Sequence, residues 1–262
     1  MADEDSGLEF QSAVYRSYEA LHAASTAFFA ANAKQIPLRD FGKGALAGEF
    51  IIADSLHGAA ATLPVAALLA GACFLGLDSD AETAKQLLRA GQCDFVVNAL
   101  DEALRILKNE LRQKKPVAVC LTGNVPLILA EMVERGVSPE VMLHAEDADL
   151  SGPIPGEREL ARWSLPEGNP AMLARIDAIL LAMLPTGDRP RRRWLESAPR
   201  FLPRQSPPAR VCALTDAELE LFVDAVAGRI MSGEISGPLR LSRGNRSLTL
   251  DGKDSAKKND LR

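Results

Sequence analysis

Short apolar segments alternate with helix-forming segments through the middle of the chain. Each apolar segment has the length and composition of a buried strand. The predicted strands are Phe50–Ala53, Ala72–Leu77, Phe95–Val97, Val117–Leu121 and Val141–Leu143. Strands that alternate with helices form a parallel sheet covered on both faces. The sequence therefore predicts an α/β fold, with a doubly wound, mostly parallel, Rossmann-like sheet.

Helical periodicity lies between and around these strands. The predicted helices run from about Ala60 to Ala70, Ala81 to Ala90, Leu100 to Gln113 and Pro126 to Arg135, with an N-terminal amphipathic helix in Leu8–Ala33. A further helix covers about Pro170–Leu184, and Val211–Leu214 reads as a strand. A capping box, Thr215 to Glu218, opens a helix that runs to about Ile230.

These elements predict a division of the chain by composition and periodicity. Residues 1–40 form an N-terminal helical segment, and residues 41–150 form the Rossmann-like domain. Residues 151–210 contain a helix and a linker, since 185–208 is rich in proline and arginine. Residues 211–250 form a smaller C-terminal α/β element, which we expect to return to the main sheet. Residues 251–262 are charged and predict a disordered tail.

Composition restricts the classes of partner. The 262 residues are 47% hydrophobic and 25% charged, with a net charge of -5, which is typical of a globular protein without attraction to nucleic acid or to anionic membranes. The longest uncharged segment, Ala59–Leu77, contains Pro64 and ends like a strand, so we interpret it as buried protein. Ala2–Glu9 is acidic, unlike a signal peptide. We expect a cytoplasmic protein with no nucleic-acid or membrane partner.

Several polar or reactive residues could be functional, but a structural interpretation is favoured for each. The four cysteines, at 73, 93, 120 and 212, lack the spacing of a zinc site or redox pair and fit core packing. His144 precedes three acids, Glu146, Asp147 and Asp149, which we interpret as a solvated loop, so we predict no metal site. The arginines of 189–204, interleaved with Trp194 and Phe201, favour a solvated linker over a phosphate-binding patch.

Residues Leu46–Asp80 have the layout of a dinucleotide-binding β-α-β unit. An apolar strand enters a turn, a helix rich in small residues follows, and a second strand ends at Asp78, roughly 20 residues after the turn. In such units the turn carries glycines, because bare backbone must approach a pyrophosphate. Here the turn reads D-S-L-H-G-A-A-A-T-L-P and keeps a single glycine, Gly58.

The chain resembles the urocanase (urocanate hydratase) family. Leu46–Pro64 aligns without a gap with the family pattern of L-A-G, an apolar strand and A-G-L-G-G-M-G-G-A-Q-P. A-G-A-C-F-L-G-L-D-S-D, A-L-D-E-A-L, V-C-L-T-G-N-V-P and E-M-V-E-R-G-V-S-P-E-V follow in the family's order. P-A-R-V-C-A-L and M-S-G-E-I-S-G-P-L-R-L-S-R are similar to phrases of a later family segment. The phrases of the first stretch keep the same order over about a hundred residues.

The resemblance implies a cofactor and site residues. Family members hold NAD as an electrophile that adds to the imidazole ring of urocanate, so that water can be added, a lyase reaction of histidine degradation. His57, Gly58 and Ala59 then correspond to the phosphate turn, Asp78 to the acid that meets a ribose hydroxyl, and Gly123-Asn124 to a second cofactor contact. Arg243 corresponds to the arginine that binds the substrate carboxylate. Each has a plainer interpretation: His57 as a cap or surface residue, Asp78 as a helix cap, Arg243 as a surface arginine.

The departures from the family pattern bear on function. Ala145–Leu150 reads A-E-D-A-D-L where the family has Q-T-S-A-H-D, and the phrases Y-G-N-N-I-R and F-C-E-G have no counterpart. We expect impaired NAD binding and no complete urocanase site. The preferred hypothesis is a divergent protein that binds a nucleotide or another small anionic metabolite. The alternatives are a hydratase completed by a partner chain, and a protein-interaction module that keeps only the fold. The partner expected beside the small ligand is a second copy in a homo-oligomer or the complementing chain.

Overall fold

The computed structural model describes residues 2–31, 46–144, 154, 156–165, 170–202 and 209–251. The chain divides into two compact units. The parallel-sheet unit comprises residues 16–152 and 197–203, and the antiparallel-sheet unit comprises residues 1–15, 153–196 and 204–262. Helix α1 (Ala2–Ala31) contributes residues to both units. It begins earlier than the amphipathic pattern predicts.

The parallel-sheet unit has the predicted doubly wound architecture. Its strands are β1 (Phe50–Ala53), β2 (Cys73–Asp78), β3 (Phe95–Val97), β4 (Val117–Thr122) and β5 (Val141–Leu143). They form a five-stranded sheet in the order β3-β4-β2-β1-β5, and every pairing is parallel. The helices are α2 (Leu63–Ala70), which follows a short 3-10 helix (Gly58–Thr62), α3 (Ala81–Arg89), α4 (Leu100–Gln113) and α5 (Val125–Glu134). The predicted elements are confirmed to within a few residues.

The helices divide between the two faces of this sheet. Alternate side chains of β2, Cys73, Leu75 and Leu77, pack in one hydrophobic cluster with residues of α4 and α5. Helices α2 and α3 contact the sheet but contribute nothing to that cluster, so they cover the opposite face. The connections that leave β2 and β4, which are neighbours, therefore go to opposite faces. This makes their carboxyl ends the topological switch point, where α/β folds bind ligands.

Polar side chains fix the start of the helices at this edge. The Asp80 carboxylate accepts hydrogen bonds from the backbone N–H groups of Glu82 and Thr83 and caps α3. The side-chain oxygen of Asn124 accepts one from Leu127 N, 3.1 Å away, and caps α5. These bonds satisfy N–H groups that have no partner within the helix. Both connections are thus held where they leave the sheet.

The antiparallel-sheet unit contains a sheet of its own. Its strands are β6 (Glu159–Ser164), β7 (Ala209–Leu214), β8 (Leu239–Arg243) and β9 (Arg246–Leu250), in the order β7-β6-β8-β9. Its helices are α6 (Pro170–Met183), α7 (Arg189–Phe201), whose last residues belong to the parallel-sheet unit, and α8 (Asp216–Met231). Thr215 and Glu218 form the predicted capping box at the start of α8. The C-terminal element therefore does not join the main sheet.

The described part of the proline- and arginine-rich segment is not a solvated linker, because residues Arg189–Phe201 form α7. Trp194 is fully buried, and its indole N–H donates to Val211 O at 2.7 Å. Arg191 is also buried and pairs with Asp188 and Glu218. Buried apolar residues recur at helical spacing through Trp194, Ala198 and Leu202. The arginines and prolines conceal that spacing in the sequence. Strands β6, β8 and β9 were also not predicted from the sequence.

Some predictions lie outside the described residues. They are the end of the first helix near Pro37, the acidic loop of residues 145–150 and the tail of residues 252–262. Among the helices that the structure describes, none is both long and apolar enough to cross a bilayer. The domain boundaries derived from the sequence stay predictions.

The buried His22 of α1 gives a first testable prediction. Burial lowers the pKa of its imidazole to about 4. The imidazole takes up a proton near pH 6.5 in the unfolded chain and near pH 4 in the folded chain. The free energy of unfolding should therefore decrease as the pH is lowered, by about 2–3 kcal/mol between about pH 7 and about pH 4.5. Urea unfolding of the wild type and of His22→Phe should show that the variant lacks this loss.

His144→Phe is the matched control, since His144 is about half exposed. It should keep the pH dependence of the wild type. A His22→Phe variant with an unchanged pH dependence would contradict the assignment.

The buried ion pair of the antiparallel-sheet unit gives a second prediction. Arg210 donates to Asp177 Oδ2 from Nε at 3.0 Å and from its terminal nitrogen at 2.8 Å, and both side chains are 5% exposed. Burial raises the pKa of Asp177, and Arg210 opposes that rise. Arg210→Ala leaves a buried carboxylate unpaired and should lower the free energy of unfolding by about 3–5 kcal/mol in urea denaturation.

Arg246→Ala, at an exposed position of β9, is the control and should change stability by less than about 0.5 kcal/mol. The double variant Asp177→Leu/Arg210→Met should recover much of the loss, because it removes both charges. Equal losses of unfolding free energy in Arg210→Ala and Arg246→Ala would show that the Asp177–Arg210 ion pair makes no special contribution to stability.

Candidate functional site

The predicted cofactor residues converge at the carboxyl edge of the parallel sheet. Gly123 N donates to Asp78 O at 3.0 Å, which joins the ends of β4 and β2 at the switch point. Asn124 follows directly, and His57 reaches Asp78 from the turn after β1. The structure thus brings together His57, Gly58, Ala59, Asp78, Gly123 and Asn124 along one edge. Whether they bind a cofactor stays a prediction.

The carboxylate of Asp78 is buried and hydrogen-bonded within the protein. Its Oδ2 accepts from Leu56 N at 3.0 Å, and its Oδ1 accepts from Asp80 N at 2.8 Å. The Nε2 atom of His57 lies 3.1 Å from Oδ1. The side chain is only 2% exposed. Asp78 therefore ties the turn after β1 to the loop after β2, while Asp80 is the residue that caps α3.

The imidazole of His57 covers this carboxylate from the solvent side. Its side chain is 58% exposed, whereas that of Asp78 is 2% exposed. The His57 backbone is extended at the start of the 3-10 helix, and its N–H donates to Ser55 Oγ at 3.2 Å. With Nε2–H donated to the carboxylate, Nδ1 is left to accept a hydrogen bond in the neutral imidazole or to donate one when protonated. His57 is therefore an accessible group that can carry positive charge.

The turn keeps one conformational requirement for glycine. Gly58 has φ = +59°, in the left-handed region, and a Cβ there would meet no neighbouring atom. A side chain at this position is opposed by backbone strain and not by lack of space. His57, Gly58 and Ala59 are exposed, whereas Ala60 is buried. A ligand can reach the first three residues only.

Two residues that were not predicted from the sequence pack this turn against the sheet. Leu56 is fully buried and lies over Gly76 of β2, where an added Cβ would come within 2.5 Å of Leu56 Cδ2. A glycine inside a strand often marks such a close approach. That single glycine in an otherwise apolar strand is the signal that could have identified the contact.

A second histidine–carboxylate pair lies on the other side of β1. His144 Nδ1 is 2.7 Å from Asp54 Oδ2, and Asp54 N donates to Leu143 O at 3.2 Å. The sequence placed His144 with the acids of residues 145–150, which are outside the described residues, and did not single out Asp54. In the part of the chain that the structure describes, no three His, Cys, Asp or Glu side chains are grouped as metal ligands.

Arg243 belongs to the antiparallel-sheet unit, at the end of β8. Its guanidinium forms ion pairs with Glu159, at 3.0 Å from Nε, and with Asp216, and its side chain is 10% exposed. A ligand carboxylate would compete with these two acids. The role that the resemblance implies for Arg243 stays a prediction.

The cysteines lie in the core, as the sequence predicts. All four are free thiols and buried. Burial is the main cause that raises the pKa of Cys73 to about 12, with smaller contributions from Glu110 and Glu140. Cys73 is therefore a packing residue and not a reactive thiolate.

Two family models match the chain. Residues 21–164 match the urocanase Rossmann-like domain, which is more than half of the 262 residues. Residues 159–255 match the urocanase C-terminal domain. The first range contains the whole parallel sheet and its carboxyl edge, and the second contains the antiparallel sheet with Arg243.

The buried carboxylate of Asp78 gives a third prediction. Asp78→Ala removes the acceptor of two backbone N–H groups and should lower the free energy of unfolding by about 2–4 kcal/mol in urea denaturation. Asp78→Asn keeps one acceptor oxygen and should fall between the wild type and the alanine variant.

Glu102→Ala, at an exposed position of α4, removes a carboxylate without buried donors. It should change stability by less than about 0.5 kcal/mol. An Asp78→Ala variant as stable as this control would show that the hydrogen bonds to Asp78 do not hold the turn.

Proposed function

This chain belongs to the urocanase family, and on that premise we propose that it is a divergent member without urocanate hydratase activity. We propose that it binds a nucleotide or another anionic metabolite at the carboxyl edge of its parallel sheet. The observation that carries the proposal is the turn after β1. An exposed histidine and the start of a helical segment remain there, while the carboxylate expected to contact a ribose is bonded inside the protein.

The turn does not fit NAD in the way that the family resemblance implies. The ribose contact would need an accessible carboxylate at Asp78, and that carboxylate is 2% exposed with His57 against it. The pyrophosphate contact would need bare backbone, and alanines follow Gly58. Each added Cβ narrows the space for the pyrophosphate of a dinucleotide, which carries a nucleoside on both sides, whereas a smaller unesterified anion needs less room. We therefore derive no chemical step through NAD.

The same turn suits a smaller anion. The 3-10 helix continues directly into α2, and their first turns contain no acidic residue. Backbone N–H groups at a helix start carry partial positive charge, and an imidazole beside them adds charge when it is protonated. His57, Gly58 and Ala59 are exposed at this point. The edge can thus hold a phosphate or carboxylate group without the glycine loop.

The two alternatives find less support. A complemented hydratase needs Arg243 for the substrate, and Arg243 is engaged by Glu159 and Asp216. It also needs the family histidine that the Ala145–Leu150 segment lacks. An interaction module that uses the arginine-rich segment as a contact surface is disfavoured, because Arg191 and Trp194 of α7 are buried within their own unit.

The fourth prediction tests the anion site. Isothermal titration with inorganic pyrophosphate should show binding to the wild type and at least about tenfold weaker binding to Ala59→Glu, since a carboxylate in the first turn repels an anion. Gln113→Glu makes the same charge change at an exposed position at the end of α4. That control should bind like the wild type.

Native mass spectrometry and the absorbance of urocanate complete the test. We expect the purified protein to carry no NAD and to leave urocanate unchanged. Retained NAD together with loss of urocanate absorbance would overturn the proposal in favour of a working hydratase. Failure to bind pyrophosphate, NAD or urocanate at about millimolar ligand, an affinity of only about 4 kcal/mol, would overturn it in favour of an interaction module.

A further inference from the structure

We infer that the His57 side chain blocks the contact between Asp78 and a ligand ribose. The site therefore selects anions that bind through their charge and discriminates against ligands whose ribose must contact Asp78. The inference rests on the proposed anion site and names the residue that sets its specificity. It follows from the hydrogen bonds of one carboxylate and from the exposure of the groups that make them.

The donors to Asp78 differ in how readily they can leave. Leu56 N and Asp80 N are backbone groups fixed by the fold, and each lies within 3.0 Å of a carboxylate oxygen. The imidazole of His57 belongs to an exposed side chain, which can rotate away without unfolding the turn. His57 is therefore the one exchangeable partner of Asp78 among these three.

The imidazole occupies the direction from which a ribose would approach. It lies against Oδ1 at 3.1 Å and is exposed, whereas the carboxylate beneath it is almost fully buried. A ribose hydroxyl would donate one hydrogen bond to the same oxygen, as Nε2–H of His57 does. The side chain at residue 57 thus replaces the ligand hydroxyl with a donor from the protein itself.

This replacement has a cost for ribose-containing ligands. A ribose must first displace the imidazole from a charge-assisted hydrogen bond, which lowers its affinity by about 10- to 100-fold. A phosphate group bound at the turn pays no such penalty, because it does not use Asp78. An exposed imidazole that stays in place can also contact the phosphate. The ligand class favoured by this edge is a phosphorylated or otherwise anionic molecule without a ribose contact.

The second histidine–carboxylate pair supplies a matched comparison. His144 and Asp54 lie at the same edge of the sheet, and the His144 side chain is exposed to a similar degree as that of His57. Asp54, however, follows β1 and not β2, and its carboxylate pairs with His144, whereas the Leu56 N–H donates to Asp78. Removing His144 should therefore leave ribose recognition unchanged.

The fifth prediction compares two probes by isothermal titration of the full chain: ADP-ribose, which carries a pyrophosphate and ribose, and inorganic pyrophosphate. His57→Ala should bind ADP-ribose at least about tenfold more tightly than the wild type. Its affinity for pyrophosphate should stay the same or fall, because a chargeable group has been lost. His57→Gln keeps an N–H donor and should bind ADP-ribose like the wild type, as should His144→Ala.

The outcomes separate this inference from the proposed function. The inference is overturned if His57→Ala does not bind ADP-ribose more tightly than the wild type. It is also overturned if the affinity for pyrophosphate rises equally, since the His57 side chain would then only restrict the space of the site. Pyrophosphate binding by the wild type without that gain leaves the proposed function standing. A wild type that binds no pyrophosphate overturns the anion site and, with it, the inference that rests on that site. Matching circular dichroism spectra and melting temperatures establish that the variants are folded.

Discussion

The candidate site depends on one buried carboxylate, that of Asp78. Its two oxygens accept the N–H groups of Leu56 and Asp80, and its backbone carbonyl accepts that of Gly123. The connections that follow β1, β2 and β4 are thus held to a single residue at the switch point. A carboxylate with so little exposure is tolerated only when donors surround it. The geometry of the edge and the stability of the turn therefore have the same origin.

This shared origin gives the proposed change of ligand a physical basis. In a dinucleotide site of this layout the terminal acid of the strand contacts the ligand. Here the carboxylate of Asp78 accepts hydrogen bonds from the turn, with His57 as an additional partner, so a ligand that used Asp78 would have to replace a bond that stabilises the protein. Stability and ligand affinity compete for one group, as they do at functional sites in general. The competition supports the proposed change of ligand class.

The sequence predicts much of the parallel-sheet unit because its signals are local. The strand Phe50–Ala53 has the predicted bounds, since a parallel strand buried on both faces is an unbroken apolar run. The helix Leu100–Gln113 also has the predicted bounds. The contacts between distant residues were not predictable in this way. Leu56 on Gly76, and Asp54 with His144, depend on which strands become neighbours. Helix α7 was missed because arginines that look solvated are paired inside the unit, as Arg191 is with Glu218.

Internal pairing of ligand-type groups recurs in the antiparallel-sheet unit, considered by itself. Arg243, to which the resemblance assigns a substrate carboxylate, already holds the carboxylates of Glu159 and Asp216. A substrate carboxylate would have to displace at least one of them. The net binding free energy would then be only the difference between two similar ion pairs. In each unit a residue that the resemblance assigns to a ligand is already paired within the protein, and both pairings support the proposed binding function without urocanate hydration.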